Sequence, residues 1–336
     1  MSILYLPRQL QGRPFTVREA LDLGLTHADL GTLRLPAPTR GVRTEAQPGC
    51  LGERCAAFAT VMDGDFAFSH LTSGGLHRLP GSTAMDADPT THIIRRSSEA
   101  HVRRRGVRGH RGYECRAIEE VDGLPVVGLT DTWVDMGELV GPGLPVGLDD
   151  LIVMGDAIAT RLRSVEPLRQ ALATRVRPRG KLTLLEALES VRVGSESPAE
   201  TRTRLVLVRG GLPEPILNDP IRTRSGVFVG RPDMKYKNPV RIAVEVQGHE
   251  FHSGSEERVC DEARYADFGK EGYEVVPVWS DDANSDAGRS ALVLNVAQIL
   301  CFPRSRLTLD ECAPRFFSRR MLELAELRKS RRARGQ

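Results

Sequence analysis

The sequence predicts a mixed α/β protein, α+β overall, in which more than one domain combines helices with strands. Three observations predict this class. The N-terminal part carries helix-start signals, the middle mixes helices with short strands, and residues 181–301 follow the order helix, antiparallel strands, helix and returning strand. At 336 residues the chain exceeds one ordinary domain, so two or three are expected.

The composition is typical of a soluble globular protein. Hydrophobic residues make up 40% of the chain and charged residues 27%, which excludes global disorder. No apolar run approaches the roughly 20 residues that a membrane helix needs, and the N-terminal residues lack a basic segment followed by an apolar signal core. We therefore expect a cytoplasmic protein with no membrane partner.

Cysteine spacing gives no sign of a metal site. The six cysteines, at positions 50, 55, 115, 260, 301 and 312, form no Cys-x-x-Cys pair and no regular spacing with histidine. A zinc site is therefore not expected, and the cysteines are interpreted as reduced, buried or half-buried thiols.

Basic residues are concentrated in two segments, although the formal net charge is only +3. Residues 95–116 contain eight arginines against two glutamates, and the tail repeats the pattern after residue 327. Such clusters suit phosphate contacts, but they are also common in solvated loops and ends. For the tail the second interpretation is favoured.

The first segment has the pattern of two short helices joined by a tight turn. Thr16 with Glu19, and Thr26 with Asp29, place a hydroxyl and a carboxylate three residues apart, as a capping box requires. Gly24 lies between the helices, where the turn needs a positive φ. The pattern indicates a helix-turn-helix, although any small helical hairpin would bury its leucines similarly. Residues 40–44 are predicted as a basic β wing.

These residues resemble the N-terminal winged helix of AbiEi-type antitoxins, with its Phe-Thr-x-x-Glu-Ala-Leu, Gly-Leu-Thr and Arg-Gly-Val motifs. Residues 15–21, 24–26 and 40–42 carry the match, which weakens through 68–80 and 129–135. The resemblance implies a winged helix at 1–50, an antitoxin-like α+β domain at 51–175, DNA as partner and a cognate toxin. The residues expected to contact nucleic acid are Thr26, His27, Arg34, Arg40 and Arg43.

The middle region is predicted to contain strands at residues 91–94, 113–118 and 125–127. Thr130 is expected to cap a helix that continues through Glu138, and residues 149–163 are predicted as another helix. No catalytic group is predicted here. His70 and His77 are seven residues apart and could share a ligand on one helical face, but two packed or surface histidines are favoured. A boundary is placed near residues 175–180, which are rich in charge and breakers.

The C-terminal third places two acidic residues on neighbouring strands. A helix capped by Ser197 precedes the strands, and Glu200 lies in its first turn. Asp233 at one strand end and Glu245 within the next apolar strand could meet at one sheet edge, where a buried charge is costly unless a cation or partner balances it. Two carboxylates suit a hard cation such as Mg²⁺, which can activate water and stabilise charge on a phosphate.

These residues resemble the PD-(D/E)XK nuclease superfamily, in particular its very-short-patch-repair-like endonuclease domain, over residues 181–301. The matching residues are Glu200, Pro232, Asp233, Glu245, Val246, Gln247, Gly248, Asp261 and Arg264, followed by residues 272–276. The resemblance implies phosphodiester hydrolysis with Mg²⁺ or Mn²⁺. Asp233 and Glu245 would be metal ligands, and Glu200 an auxiliary acid that acts through water.

One position departs from the pattern of that superfamily. Gln247 replaces the expected lysine and cannot supply positive charge to the transition state. Lys235 or Arg264 could supply a cation instead. His249 and His252, just past the strand, could contact phosphate or transfer a proton.

Structural interpretations compete with these roles. Asp233 could be a strand-end cap and Glu200 a residue favoured by the helix dipole, while Arg264 could pair with Asp261 or Glu245.

Two functions follow from the sequence. The first is a metal-dependent endonuclease in which the winged helix contacts DNA and residues 181–301 cut it, with residues 302–336 as a basic tail. The second is an AbiEi-type antitoxin or transcriptional regulator that keeps the nuclease fold without the reaction, and Gln247 is its main support.

Overall fold

The structure, a computed structural model, describes residues 5–247, 255–279 and 283–333. It contains 44% helix and 16% strand, arranged in helices and several sheets, which confirms the mixed α/β class. Among the described residues, no helix is both long and apolar enough to cross a membrane.

The chain divides into two compact units. The first comprises Met1–Val146 and Gln170–Gly180, and the second comprises Gly147–Arg169 and Lys181–Gln336. Residues 147–169 therefore pack with the C-terminal part of the chain, although the sequence pattern groups them with the middle region. The finer division at residues 50 and 301 stays a prediction.

The first unit begins with two short helices and a two-stranded ribbon. Its elements are β1 (Phe15–Thr16), α1 (Val17–Asp22), α2 (His27–Thr32) and β2 (Val42–Arg43). The strands are antiparallel, with Thr16 opposite Val42, which confirms the predicted strand within residues 40–44. The side chains that form the core of this segment are Leu10, Phe15, Ala20, Leu25 and Leu30.

Both predicted capping boxes are present. Thr16 Oγ1 accepts a hydrogen bond from Glu19 N at 3.0 Å, and Glu19 Oε2 accepts one from Thr16 N at 2.6 Å. Thr26 and Asp29 form the same pair of bonds at 3.1 and 2.8 Å. Gly24, between the two helices, has φ +89°, the conformation predicted for the turn.

The rest of the first unit is a five-stranded mixed sheet with helices. In chain order its elements are α3 (Leu51–Ala59), β3 (Phe66–Phe68), α4 (His70–Leu76), α5 (Thr83–Asp86), β4 (Thr91–Arg95), β5 (Val107–Arg111), β6 (Ile118–Val121), β7 (Leu124–Val127) and α6 (Leu129–Met136). The strand order is β5-β4-β3-β7-β6. Strand β4 is antiparallel to β3 and parallel to β5.

Two predictions for this region are wrong in detail. Residues 113–118 do not form one strand: Tyr113–Cys115 is a 3-10 turn, because Gly112 adopts φ +100° and reverses the chain before it. Helix α6 is capped by Gly128 rather than Thr130, ends at Met136 and is followed by a 3-10 turn. The predicted strands at residues 91–94 and 125–127 are confirmed within β4 and β7.

The second unit is built from helices around a four-stranded sheet. Its helices are α7 (Leu148–Leu162), α9 (Lys181–Ser190), α10 (Pro198–Arg209), α11 (Ser255–Lys270), α12 (Asp286–Ile299) and α13 (Arg319–Ala333). The boundary between the two units falls within helix α8 (Glu166–Thr174). Its strands are β8 (Ile216–Leu217), β9 (Ile221–Arg222), β10 (Phe228–Gly230), β11 (Met234–Tyr236), β12 (Ile242–Gln247) and β13 (Glu274–Trp279).

The sheet of the second unit has the strand order β13-β12-β11-β8. Strand β11 is antiparallel to β12, with Met234 opposite Val244, and β12 is parallel to β13, with Val244 opposite Val276. This pairing agrees with the predicted order of antiparallel strands, helix and returning strand. Strands β9 and β10 form a separate antiparallel pair.

The two faces of β12 pack against different helices. Val244 belongs to a buried cluster with residues of α10 and α12, whereas Ala243 packs with Phe268 of α11. Because side chains alternate between faces along a strand, Glu245 and Gln247 lie on the same face as Ala243. The sheet therefore presents its polar residues toward α11.

Candidate active site

Asp233 and Glu245 lie on neighbouring strands, as predicted. Asp233 directly precedes β11, and because Met234 is opposite Val244, the register places Asp233 opposite Glu245. Antiparallel residues in opposite positions project to the same face of a sheet. The hairpin between these strands thus brings together two carboxylates that are twelve residues apart in sequence.

Helix α11 provides the partners of the β12 side chains. Arg264 Nη2 lies 2.9 Å from Glu245 Oε2, so Arg264 pairs with Glu245, one of the two partners considered for it. Gln247 Nε2 donates a hydrogen bond to the Tyr265 hydroxyl at 2.6 Å. Glu245 and Gln247 are both buried. The guanidinium group of Arg264 therefore places a positive charge beside the Glu245 carboxylate.

The Asp233 carboxylate is held by a hydrogen bond from the backbone. Its Oδ2 accepts a hydrogen bond from Val246 N at 2.7 Å, which fixes the carboxylate beside the residue that follows Glu245. Burial raises the pKa of Asp233, although the Val246 amide and Arg264 oppose the shift. A half-buried carboxylate in this position favours either a proton or a cation beside it.

Glu200 lies in the first turn of α10 and is almost fully buried. Its Oε2 accepts hydrogen bonds from Glu196 N and Asn218 Nδ2, both at 2.9 Å. Burial raises the pKa of Glu200, and the negative charge of Asp233 raises it further. Glu200 and Asp233 are therefore close enough to interact electrostatically.

Asp233, Glu245 and Glu200 do not all have ligand atoms within 4.8 Å of one another. Among the described residues, one group of three metal-ligating side chains has its ligand atoms this close together. None of these acidic residues belongs to that group. The assignment of Asp233 and Glu245 as direct ligands, with Glu200 acting through water, stays a prediction. Their oxygen donors suit hard cations such as Mg²⁺ or Mn²⁺.

Lys235, considered as an auxiliary cation, is paired outside this site. Lys235 is buried, with its Nζ 2.8 Å from Asp219 Oδ2 and donating to Pro220 O at 2.9 Å. Its charge is thus balanced by Asp219. His249 and His252 lie outside the described residues.

A basic cleft lies in the first unit. It has a volume of about 1070 Å³, and its charged lining residues are Arg40, Arg54, Arg103, Arg104 and Arg105. The loop of residues 103–106 is tied to the N-terminal segment because Arg104 Nη1 donates to Arg40 O at 2.9 Å. The arginine-rich stretch noted in the sequence and one predicted nucleic-acid contact, Arg40, therefore line the same cleft.

The other predicted nucleic-acid contacts do not line this cleft. Thr26, His27 and Arg34 are exposed, and the Thr26 hydroxyl is engaged in the capping box of α2. Arg43 is half-buried and donates to Val42 O at 2.9 Å.

Three histidines of the first unit form a group that the sequence analysis missed. His70, His92 and His110 are buried, and one ring nitrogen from each lies within 4.8 Å of the others. His77, considered as a partner of His70, instead has its Nε2 2.9 Å from Val127 O. A signal was present in β4, where His92 directly precedes the apolar pair Ile93 and Ile94.

Comparison with known proteins gives two relatives. The chain is 33% identical over 128 residues to two uncharacterized proteins of Mycobacterium tuberculosis, one from strain CDC 1551 / Oshkosh and one from strain ATCC 25618 / H37Rv. The match covers 37% of this chain and 45% of each relative, so the chain spans less than half the length of these curated relatives. No protein-family model matches the chain. No solved structure matches it either.

Proposed function

We propose that this protein is a metal-dependent endonuclease that hydrolyses phosphodiester bonds of nucleic acid, with DNA as the preferred substrate. The observation that carries the proposal is the position of Asp233 opposite Glu245 on adjacent strands, with Glu245 buried and Asp233 half-buried. The supporting elements are α10, the β11–β12 hairpin, α11 and the parallel strand β13, in the order that the resemblance to PD-(D/E)XK nucleases implies.

The acidic residues fit a hard divalent cation. Asp233 and Glu245 would hold Mg²⁺ or Mn²⁺, and such a cation lowers the pKa of bound water and stabilises negative charge on the phosphate. Burial raises the pKa of Asp233, and a cation beside that carboxylate would offset the cost of its charge. Glu200 would contribute through water.

The α11 side chains take the place of the missing lysine in this proposal. Gln247 is held by the Tyr265 hydroxyl and can orient a polar group without charge. Arg264, 2.9 Å from Glu245, would supply the cation that stabilises developing negative charge. The guanidinium group would also hold the Glu245 carboxylate in place.

The basic cleft of the first unit would bind the nucleic acid. Arg40, Arg103 and Arg105 are exposed arginines in its lining, and such groups bind phosphates of any sequence. Nucleic-acid cleavage of this kind would take place in the cytoplasm.

A cleavage assay tests the proposed reaction. Plasmid, linear duplex, single-stranded DNA and RNA are incubated with the full chain and Mg²⁺ or Mn²⁺, with a chelator as the metal-free control. We expect Asp233→Asn and Glu245→Gln each to lower the cleavage rate by at least about a hundredfold, because a metal supplies several kcal/mol of charge stabilisation. The control is Glu274→Gln, an exposed carboxylate on the neighbouring strand β13, which should cleave normally.

Two outcomes contradict the nuclease proposal. One is the absence of cleavage on every substrate with either metal. The other is cleavage that Asp233→Asn and Glu245→Gln leave at the rate of Glu274→Gln, since a contaminating nuclease would give that result.

A second candidate function is favoured by the contacts on α11. The hydrogen bond from Gln247 to Tyr265 and the ion pair of Glu245 with Arg264 occupy both polar side chains of β12 that face the helix. A protein with these groups so engaged could be an AbiEi-type antitoxin or transcriptional regulator. Its winged helix would bind DNA, and a cognate toxin would be its partner. Sequence-selective DNA binding without cleavage would support this function over the first.

A further inference from the structure

Three histidines from three different elements meet inside the first unit. His70 starts α4, His92 lies in β4 and His110 lies in the parallel strand β5. His70 and His92 are fully buried, and the His110 side chain is 8% exposed. The ring centroids of His70 and His110 are 3.6 Å apart, and those of His92 and His110 are 5.1 Å apart. We call this group the histidine triad.

Strand pairing explains how two of these rings come together. In the parallel ladder, His92 is opposite Arg108 and His110 is opposite Ile94. Ile94 and His92 are two residues apart and project to the same face, so His92 and His110 are diagonal neighbours on that face. The backbone amide of His92 is also fixed, because it donates to Thr72 Oγ1 at 2.8 Å.

The ring nitrogens of the triad have unused lone pairs. His70 Nδ1 lies 3.0 Å from Ser69 Oγ, whereas its Nε2 has no hydrogen-bond partner in the described part of the chain. His92 Nε2 also has none there, and His92 Nδ1 lies 3.0 Å from His110 Nε2. Buried polar atoms without partners are costly. Two of these rings thus keep a buried nitrogen without a hydrogen-bond partner in the described part of the chain, and that of His70 lies 3.6 Å from Glu138 Oε2.

Burial disfavours the protonated form of two histidines of the triad. Burial, assisted by the neighbouring rings, lowers the pKa of His92 to about 2. Burial and His70 lower the pKa of His110 to about 4, although the Glu138 carboxylate opposes the shift. Neutral imidazole is the form that ligates metals.

Glu138 supplies negative charge next to the triad. Its Oε2 lies 3.6 Å from both His70 Nε2 and His110 Nδ1. The neighbouring His110 and His70 rings lower the pKa of Glu138, so the carboxylate is ionised. A carboxylate that accepts from the second nitrogen of a ligating histidine orients the ring and strengthens the metal bond.

We propose that His70, His92 and His110 bind one divalent transition-metal ion, for which Zn²⁺ is the best match, with Glu138 as charge-balancing carboxylate. Three imidazole nitrogens suit zinc, whereas Mg²⁺ prefers oxygen ligands. Such an ion would join α4, β4 and β5 within the first unit. This nitrogen site is chemically distinct from the Asp233 and Glu245 carboxylates.

Metal content and metal affinity of the full chain test the proposal. The chain is produced without a polyhistidine tag, stripped of metal with a chelator, incubated with Zn²⁺ and dialysed. Its zinc content is then measured by inductively coupled plasma mass spectrometry. We expect one zinc per chain, retained in excess Mg²⁺. Co²⁺ in its place should give the visible absorption of a site with nitrogen ligands. Zn²⁺ should also raise the melting temperature of the stripped protein.

Matched variants separate the triad from other histidines. His92→Gln and His110→Gln should each weaken zinc binding by at least about a hundredfold, and Glu138→Gln by about 10 to 100-fold. The control is His101→Gln, an exposed histidine in the same arginine-rich stretch, which should bind zinc as the unmodified chain does.

The proposal is overturned by either of two results. One is an unmodified chain that retains no zinc and shows no Co²⁺ absorption. The other is equal zinc retention by His92→Gln, His110→Gln and His101→Gln. If the triad variants fail to fold, the zinc content, Co²⁺ spectrum and melting temperature of the unmodified chain decide the question alone.

Discussion

At the scale of single residues, the buried carboxylates of the second unit differ in what balances their charge. Asp156 accepts hydrogen bonds from Arg192 N, Thr201 Oγ1 and Arg204 Nη2, each within 2.9 Å. Asp233 is held by one backbone amide. The first carboxylate is part of a complete hydrogen-bond network, whereas the second leaves oxygen lone pairs for another ligand. This difference is why Asp233 is a candidate ligand and Asp156 is not.

The network around Asp156 predicts a large loss of stability when Arg204 is removed. The Arg204 side chain is 1% exposed and also donates to Glu214 Oε1 and to Ser190 O at 2.9 Å. Arg204→Met would leave the buried Asp156 charge without its cation, which costs about 3 to 5 kcal/mol. Urea denaturation of the purified variants measures this free energy of unfolding.

The control for Arg204 is on the same helix. Arg202→Met removes an arginine whose side chain is 43% exposed and lies 4.0 Å from Asp150, so its cost should stay within about 0.5 kcal/mol. Adding Asp156→Asn to Arg204→Met should recover part of the lost stability, since the uncompensated charge is then gone. A loss below about 1 kcal/mol for Arg204→Met would contradict the importance of the pair.

At the scale of secondary-structure elements, signals between residues close in sequence predicted more of the structure than strand pairing did. The capping boxes of α1 and α2, and the Ser197 cap of α10, follow from residues within three positions of each other. The Asp233 and Glu245 pairing was also predictable, because one hairpin connects their strands. Strand β5 was not predicted, since its Val-Arg-Gly-His-Arg sequence lacks an apolar alternation and its partner β4 is remote in the chain.

The histidine triad was missed for the same physical reason. His70, His92 and His110 have no metal-ligand spacing in the sequence, and they meet only after β4 and β5 pair and α4 packs beside them. Residues 113–118 illustrate a different failure. Their apolar content suggested a strand, but the left-handed conformation of Gly112 starts a 3-10 turn instead.

The α1 capping box predicts a pH-dependent contribution to stability. The hydrogen bond from Thr16 N lowers the pKa of Glu19 below its ordinary value of 4.5, although burial opposes the shift. A carboxyl group whose pKa is lower in the folded state stabilises that state above the unfolded-state pKa and loses its effect as pH falls through the folded-state pKa. Glu19→Gln should therefore lower the free energy of unfolding at neutral pH, and the difference should vanish in acid.

Unfolding measured at neutral and acidic pH tests this contribution. Thr16→Ala removes the other half of the box and should cost about 1 kcal/mol at neutral pH. Asp22→Asn, an exposed carboxylate at the end of α1 and outside the capping box, is the control. A Glu19→Gln difference that persists unchanged in acid would show that the charge of Glu19 is not involved.

At the scale of the whole molecule, charge distribution matters more than net charge. The chain carries 47 basic and 44 acidic side chains, so its formal charge of +3 gives little general attraction for nucleic acid. Five arginines nevertheless line one cleft of the first unit. The proposed nucleic-acid binding therefore depends on a local group of charges, and this makes it sensitive to single substitutions.

The arginine-lined cleft predicts a specific salt dependence of DNA binding. Each phosphate contact that is lost reduces the slope of log affinity against log salt concentration by about 1, so Arg103→Ala and Arg105→Ala should each weaken binding and flatten this slope. Arg96→Ala is the matched control, because Arg96 belongs to the same arginine-rich stretch but is ion-paired with Asp65 and does not line the cleft. Fluorescence anisotropy with a labelled duplex at several salt concentrations measures the slopes. Equal slopes for the unmodified chain and both cleft variants would show that DNA binds elsewhere.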